Sequence, residues 1–257
     1  MLEKRSGMCR IFVQNPGGIG VTPGVKFGKL MEFLKENKVD IAGISEVNVN
    51  WKLVTDGRNL GDRTYGKFES QRAISTYYRK DNSALRNQPG GTAMLAMNKI
   101  SYCVQSSGRD KRGMGRWCWI RLRGKNGIHT RLITVYVPTQ NAGENTVYAQ
   151  HIRGLAALGI SECPIKQFWS DLANEIRAWR TAGEQIIVLG DFNEDTSQVE
   201  QRLEEFSLRD VTRHIHGQSP PATFQRGSRA IDGILATPSI VSETVKAGYL
   251  PFGELNK

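Results

Sequence analysis

The chain has 257 residues, 39% of them hydrophobic and 23% charged, and Lys+Arg 35 against Asp+Glu 25 gives a formal charge of +10. That length suits one α/β or sandwich domain spanning residues 1–257, and the basic balance favours a polyanionic partner such as nucleic acid. The N-terminus MLEKRSGMCRIF lacks a signal peptide's apolar stretch, no run reaches the roughly 18 apolar residues of a membrane span, and Cys9, Cys103, Cys118 and Cys163 form no CxxC pair, so export, membrane insertion, a zinc knuckle and a disulfide framework lack support.

In chain order, Cys9 to Gln14 predicts a first strand, Asn15 to Gly20 a loop, and Phe27, Leu30, Met31 and Leu34 the buried stripe of a helix. Asp40 to Ser45 predicts a second strand ending at Glu46, which completes a β-α-β unit. From Trp51 to Gly91 the chain is polar, rich in glycine and arginine and without periodicity, which predicts a long substrate-facing surface excursion. Strands are predicted again at Thr92 to Asn98, Arg116 to Leu122 and Thr130 to Val137. The basic turn Arg109 to Arg116, followed by Trp117 and Trp119, is open between two readings: a hairpin that contacts phosphates, or a solvated turn whose tryptophans pack inside. Ile165, Phe168, Trp169, Leu172, Ile176 and Trp179 trace one face of a helix of about five turns, and Gln185 to Leu189 and Ala230 to Leu235 are the last apolar strands. The pattern is mixed α and β without a clean βα alternation.

The richest stretch is Gly190-Asp191-Phe192-Asn193, set directly after a β-branched run. Along an extended backbone Asp191 and Asn193 point the same way while Phe192 points back into packing. An Asx turn that merely ends the strand is the plain alternative. The other strand ends tip the balance, because Asn15 follows CRIFVQ, Glu46 follows DIAGIS and Asp232 lies within AIDGIL. If these strands are neighbours, their polar groups form an oxygen-rich site suited to a hard cation that polarises a phosphoryl oxygen.

The ordered motifs Gln14-Asn15, Ser45-Glu46, Tyr136-Val137-Pro138, Gly190-Asp191-Phe192-Asn193 and Ser228-Arg229-Ala230-Ile231-Asp232 resemble those of the endonuclease/exonuclease/phosphatase superfamily. Its members include apurinic-site endonucleases, pancreatic deoxyribonuclease, inositol-phosphate 5-phosphatases and the endonuclease domains of LINE-type retrotransposons. The resemblance runs from Arg10 through Leu235 and implies an α/β fold, a four-layered two-sheet sandwich with flanking helices and the site at one end. It implies that Glu46 is the principal ligand of Mg2+, with Mn2+ as a substitute, and that Asn15 assists the same metal. Asp191 would orient and deprotonate the attacking water, Asn193 would hydrogen-bond the scissile phosphate, Tyr136 would help position it, and Asp232 would pair with a histidine. NPGGIG, EVNVNW and PGGTAML look most like retroelement endonucleases of the apurinic type, which implies DNA as substrate, a reverse transcriptase domain in the same polyprotein, and a monomeric, nuclear protein.

One departure from the family pattern stands out. Members carry a Ser-Asp-His element after the strand that follows the Asp232 motif, and this sequence reaches Gly253-Glu254-Leu255-Asn256-Lys257 without it, so a domain truncated before that motif is expected. None of His129, His151, His214 and His216 occupies the required place, and the His214/His216 pair reads as solvated rather than as a metal site. Two alternatives follow: a nucleic-acid-binding remnant with little catalysis, or a phosphomonoesterase acting on inositol or other small phosphates. Dinucleotide and acyl-transfer readings fall away, because Gly18-Ile19-Gly20 lacks the third glycine of a nucleotide loop and no GxSxG elbow occurs.

Overall fold

The computed structural model describes residues 4–22, 24–55, 58–80, 85–141, 143–224 and 227–251, so Gly253 to Lys257 lie outside it. In chain order the elements are β1 (Ile11–Gln14), α1 (Val25–Glu36), β2 (Ile41–Ser45), α2 (Leu60–Thr64), β3 (Gln71–Ser75), β4 (Thr92–Met97), β5 (Val104–Arg109), β6 (Trp117–Arg123), β7 (His129–Tyr136), α3 (Val147–Ala156), α4 (Pro164–Thr181), β8 (Gln185–Asp191), α5 (Thr196–Arg202), β9 (Arg209–Asp210), α6 (Val211–His216), β10 (Asp232–Ala236) and α7 (Pro238–Glu243). They form two sheets, ordered β1-β2-β4-β3 and β5-β6-β7-β8-β10-β9. The β1·β2 and β7·β8 pairs are parallel, as the helical crossovers between them require, and the other pairings are antiparallel.

Alternation along each strand separates three apolar layers. The helical stripe of Phe27, Leu30, Met31 and Leu34 packs on Phe12, Ala42, Ile44 and Leu95, the outer face of the first sheet. Ile41, Met94, Ala96, Ile120, Leu132, Ile187 and Leu189 fill the space between the sheets. Phe168, Leu172 and Ile176 of α4 cover Trp117, Ile133, Val135, Ile186 and Val188 on the outer face of the second sheet. Helix, sheet, sheet and helix thus stack as the four-layered α/β sandwich expected. The sheets come very close at Gly43, where a Cβ would lie 2.6 Å from Thr134 Oγ1 and 2.7 Å from Leu189 Cδ1. A side chain there would wedge the sandwich apart beside the ends of β1, β2 and β8.

One expectation needs correction, and two readings gain detail. The stretch 51–91 is more than a surface excursion, because it contains α2 and the edge strand β3, whose partly polar sequence QRAIS hides its pairing with β4. Asn59 and Asp62 close a capping box on α2, and its buried Arg63 donates to the Gly20 carbonyl at 2.8 Å and to that of Val21 while lying over the Trp51 ring. The excursion therefore braces the glycine loop that follows β1.

In the basic turn Trp117 packs inside, as the second reading had it, and part of the charge is drawn into a buried ionic knot while Arg109 and Lys111 stay exposed. Arg116 is 2% exposed and binds Asp110 at 2.7 Å and Asp171 at 2.8 Å, and Arg112 shares Asp171. Burial alone would push the Asp110 carboxyl up, but the Arg116 guanidinium together with the Arg112 and Met114 N–H groups outweighs it and holds the carboxyl below its ordinary value. Trp117 is fully buried, and Trp119 packs edge-on against Trp179 with the Arg131 guanidinium over both rings. Lastly, His214 and His216 lie exposed on α6. Residues two apart on a helix diverge, so the pair does not chelate, and His216 Nε2 instead meets the Ala247 carbonyl at 2.9 Å. Among the described residues no helix is long and apolar enough to cross a membrane.

Candidate active site

The alternation that builds the inner layer also delivers the site. On β7, Leu132 faces the other sheet, and the same parity carries through Thr134 to Tyr136; on β8, Ile187 and Leu189 continue to Asp191; on β10, Ala236 and Ile234 lead back to Asp232. In the ladder, Tyr136 and Asp232 flank Asp191 as its direct partners on either side. From the first sheet, Ile11 and Val13 continue to Asn15. Glu46 breaks the parity, since a regular β2 would send it outward; its φ of 51° turns the chain so that it joins the others. All six residues named from sequence meet at one end of the sandwich.

The Asn15 carboxamide holds the two sheets' carboxylates together, donating from Nδ2 to Glu46 Oε2 at 2.9 Å and to Asp191 Oδ2 at 2.7 Å. Its Oδ1 accepts the Gly17 N–H at 2.8 Å, which fixes which end of the amide faces the acids. The other Asp191 oxygen accepts from Asn193 N at 2.9 Å, so the Asx turn of the plain alternative does exist, and within the cluster it fixes the carboxylate's orientation. Asn193 has φ 50° and anchors its own amide on the Val137 carbonyl at 2.7 Å, while Phe192 is fully buried against Trp169.

The electrostatics give each acid a distinct character. Asp191 is 3% exposed; burial, then the charge of Asp232, raise its carboxyl above the ordinary range despite the Asn15 hydrogen bond. Burial likewise raises Asp232, which the Thr223 hydroxyl partly offsets. Burial and the neighbouring Glu46 and Asp191 charges raise Tyr136 as well, so its hydroxyl stays protonated and available as a donor. Thr223 Oγ1 also receives the Ile231 and Asp232 N–H groups at 2.9 and 3.0 Å, fixing the entry of β10.

Sequence reading assigned no role to Ser45, Asn48 or Thr223. Ser45 is fully buried, donates to the Val135 carbonyl at 2.7 Å and accepts the Asp191 N–H at 3.1 Å, tying the sheets directly behind the acids. A polar residue at inward parity within the apolar run IAGIS was the available signal. Ser45→Ala removes the hydroxyl that both groups bind and costs about 1–3 kcal/mol, read as a lowered denaturation midpoint at unchanged m-value.

Among the described residues, no three His, Cys, Asp or Glu side chains converge as a cage for a metal ion. A hard cation such as Mg2+ does not need one, since it is commonly held by one or two carboxylates together with substrate phosphate and water. The donor set here is made of carboxylate, carboxamide and hydroxyl groups without sulfur or imidazole, and it fits such an ion at Glu46.

A mixed two-sheet sandwich with flanking helices and an acid and amide cluster at one end defines a fold of the deoxyribonuclease and apurinic endonuclease type. The chain belongs to the endonuclease/exonuclease/phosphatase family, whose model matches residues 24–251 and takes in Glu46, Tyr136, Asp191, Asn193 and Asp232. Members of this family are hydrolases, nucleases and phosphatases among them. Similar solved structures include a 3'-5' exonuclease from Neisseria meningitidis (15% identity, TM-score 0.60, covering 90% of this chain and 88% of that one) and the catalytic domain of Xenopus laevis APE2 (18%, 0.58, 90% and 83%). An AP endonuclease from Archaeoglobus fulgidus is similar as well (17%, 0.54, 93% and 90%). No curated protein matches the chain in sequence.

Proposed function

We propose that this chain is a divalent-metal-dependent phosphodiesterase that nicks DNA by attack of an activated water, and that it derives from a LINE-type retroelement. The observation that carries the reading is the Asn15 bridge at 2.9 and 2.7 Å, which places Glu46 from one sheet and Asp191 from the other in a single site. Glu46, with Asn15 beside it, would hold Mg2+ or Mn2+, which when bound polarises a phosphoryl oxygen and stabilises the leaving oxyanion. Asp191 takes the proton of the attacking water, a task suited to a carboxyl raised above its ordinary range. The Tyr136 hydroxyl positions a phosphate oxygen, and Asn193, locked to the Val137 carbonyl, holds Asp191 in orientation and borders the phosphate.

The charge of +10 supports a nucleic-acid substrate, and the segments NPGGIG, EVNVNW and PGGTAML support retroelement ancestry, with a reverse transcriptase domain of the same polyprotein as partner and the nucleus as the place of action. Nicking of supercoiled plasmid in Mg2+, abolished by EDTA and restored by added Mg2+, is the expected result; nicking that persists unchanged in EDTA would rule the reading out. One observation favours a second reading, a nucleic-acid-binding protein of low catalytic power. Asp232 Oδ1 is buried and accepts no hydrogen bond among the described residues, so this oxygen lacks a partner to orient it, and the Thr223 hydroxyl acts on the carboxylate without satisfying it. DNA retention on a filter without nicking in any divalent metal would select that reading.

A further inference from the structure

Two residues beyond Glu46, Asn48 also has a left-handed backbone, with φ 55°, while the intervening Val47 is fully buried in the layer beneath α1. Asn48 is bound to the segment before β4 on three sides. Its N–H donates to the Gly90 carbonyl at 2.8 Å, its Oδ1 accepts the Gly90 N–H at 2.7 Å, and its carbonyl accepts the Gln88 N–H at 3.4 Å. The Gln88 side chain in turn bridges the Tyr78 N–H and carbonyl at 2.8 and 3.0 Å.

The Gly90 N–H can only donate, so the oxygen of the Asn48 amide must face it and the NH2 must face the other way. That NH2 lies 3.2 Å from Glu46 Oε1, while Asn15 donates to Oε2. Each oxygen of Glu46 thus has its own carboxamide donor. A residue needed only to form the turn would be complete with its Gly90 bonds; the contact to Glu46 is additional.

We propose that Asn48 is the positioning residue for Glu46, a clip that fixes the carboxylate's orientation by fastening it to the Gly90 backbone. The inference rests on the reading of Glu46 as the cation ligand. Ligand orientation is a large part of metal affinity, and loss of the group that orients a ligand typically lowers affinity 10- to 100-fold. Because the clip also holds Gly90, cation binding at Glu46 should be felt at the Gly90 N–H.

The test is Mg2+ binding to the full chain by calorimetry, without substrate, for the wild type, Asn48→Gly, Glu46→Gln and the double variant. Glycine accepts a φ of 55°, so Asn48→Gly removes the clip without straining the backbone. The expected result is a Kd for Mg2+ raised about tenfold in Asn48→Gly, with no further loss when Glu46→Gln is already present. Hydrogen exchange on the wild type gives a second measurement that needs no variant to fold, and saturating Mg2+ should slow exchange at Gly90. Unchanged affinity in Asn48→Gly, an equal loss in the Glu46→Gln background, or no response at Gly90 would each overturn the proposal. A wild type that binds no Mg2+ at all would instead overturn the functional reading on which it rests.

Discussion

Asp191→Asn is expected to lower metal-dependent plasmid nicking by about 10³-fold, the middle of the range for loss of a general base. An amide in place of the carboxylate accepts no proton from water. It also brings an NH2 against one of two donors, Asn15 Nδ2 or Asn193 N, both of which now find a carboxylate oxygen. Glu46→Gln acts on the same step by weakening the cation's hold, so its defect should lessen as Mg2+ is raised, whereas that of Asp191→Asn should not. The double variant should fall little below the worse single one, as for groups that act as a unit. Full additivity, or rescue of Asp191→Asn by excess Mg2+, would separate the two residues and break the proposed site.

The same carboxyl makes stability depend on pH. Asp191 and Asp232 are both raised above the ordinary carboxylate value, by burial first and, for Asp191, by its neighbour's charge next. The folded state therefore holds protons that the unfolded chain has already released. The stabilisation is fully present below the ordinary carboxylate range and is lost as pH rises from there through the raised values. In EDTA the melting temperature should fall across that window, and Asp191→Asn should flatten the slope whatever it does to the midpoint. A melting temperature that climbs with pH over the same interval would mean that the pair is not strained.

Strand ends were legible because apolar runs announce buried strands and their last polar residue stands out. Asn15, Asp191 and Asp232 each continue the inward parity of their strand, and so does Tyr136, although resemblance rather than parity brought it forward. The α4 stripe was equally plain. What escaped was whatever depends on partners distant in sequence. β3 is an edge strand with a polar face, so its run QRAIS resembles a loop until β4 lies beside it. Arg116 looks like a solvated charge until Asp171, far along the chain, enters the turn. Glu46 reached the site for a reason that its alternation would have denied, a left-handed φ that no periodicity reports. Asn48 is a similar case, since only the fold brings Gly90 to its side chain.

Gly190→Ala is expected to be the most disruptive methyl addition among the described glycines. Gly190 has φ +153°, and a Cβ there would lie 2.1 Å from the Val135 carbonyl oxygen and 2.9 Å from its carbon, both backbone atoms of the adjoining strand. No side-chain rotation relieves such a clash, so β7 and β8 would have to part. That carbonyl is the acceptor of Ser45 Oγ at 2.7 Å, and the next residue on β7 is Tyr136, opposite Asp191, so the displacement would loosen the tie between the sheets and spread the site. Strain of this kind, with the broken ladder, costs about 4–5 kcal/mol or more, against a total stability of about 5–15 kcal/mol for an ordinary domain. Gly217→Ala provides the comparison: its φ is also positive, at 66°, but no atom lies within 4 Å of the added Cβ, so only backbone strain of about 1 kcal/mol remains. Chemical denaturation of both variants separates the two contributions. Gly190→Ala should recover little folded chain where Gly217→Ala recovers nearly all of it, and equal stabilities would mean that the glycine of the Gly190-Asp191-Phe192-Asn193 motif is not held against β7 as the structure has it.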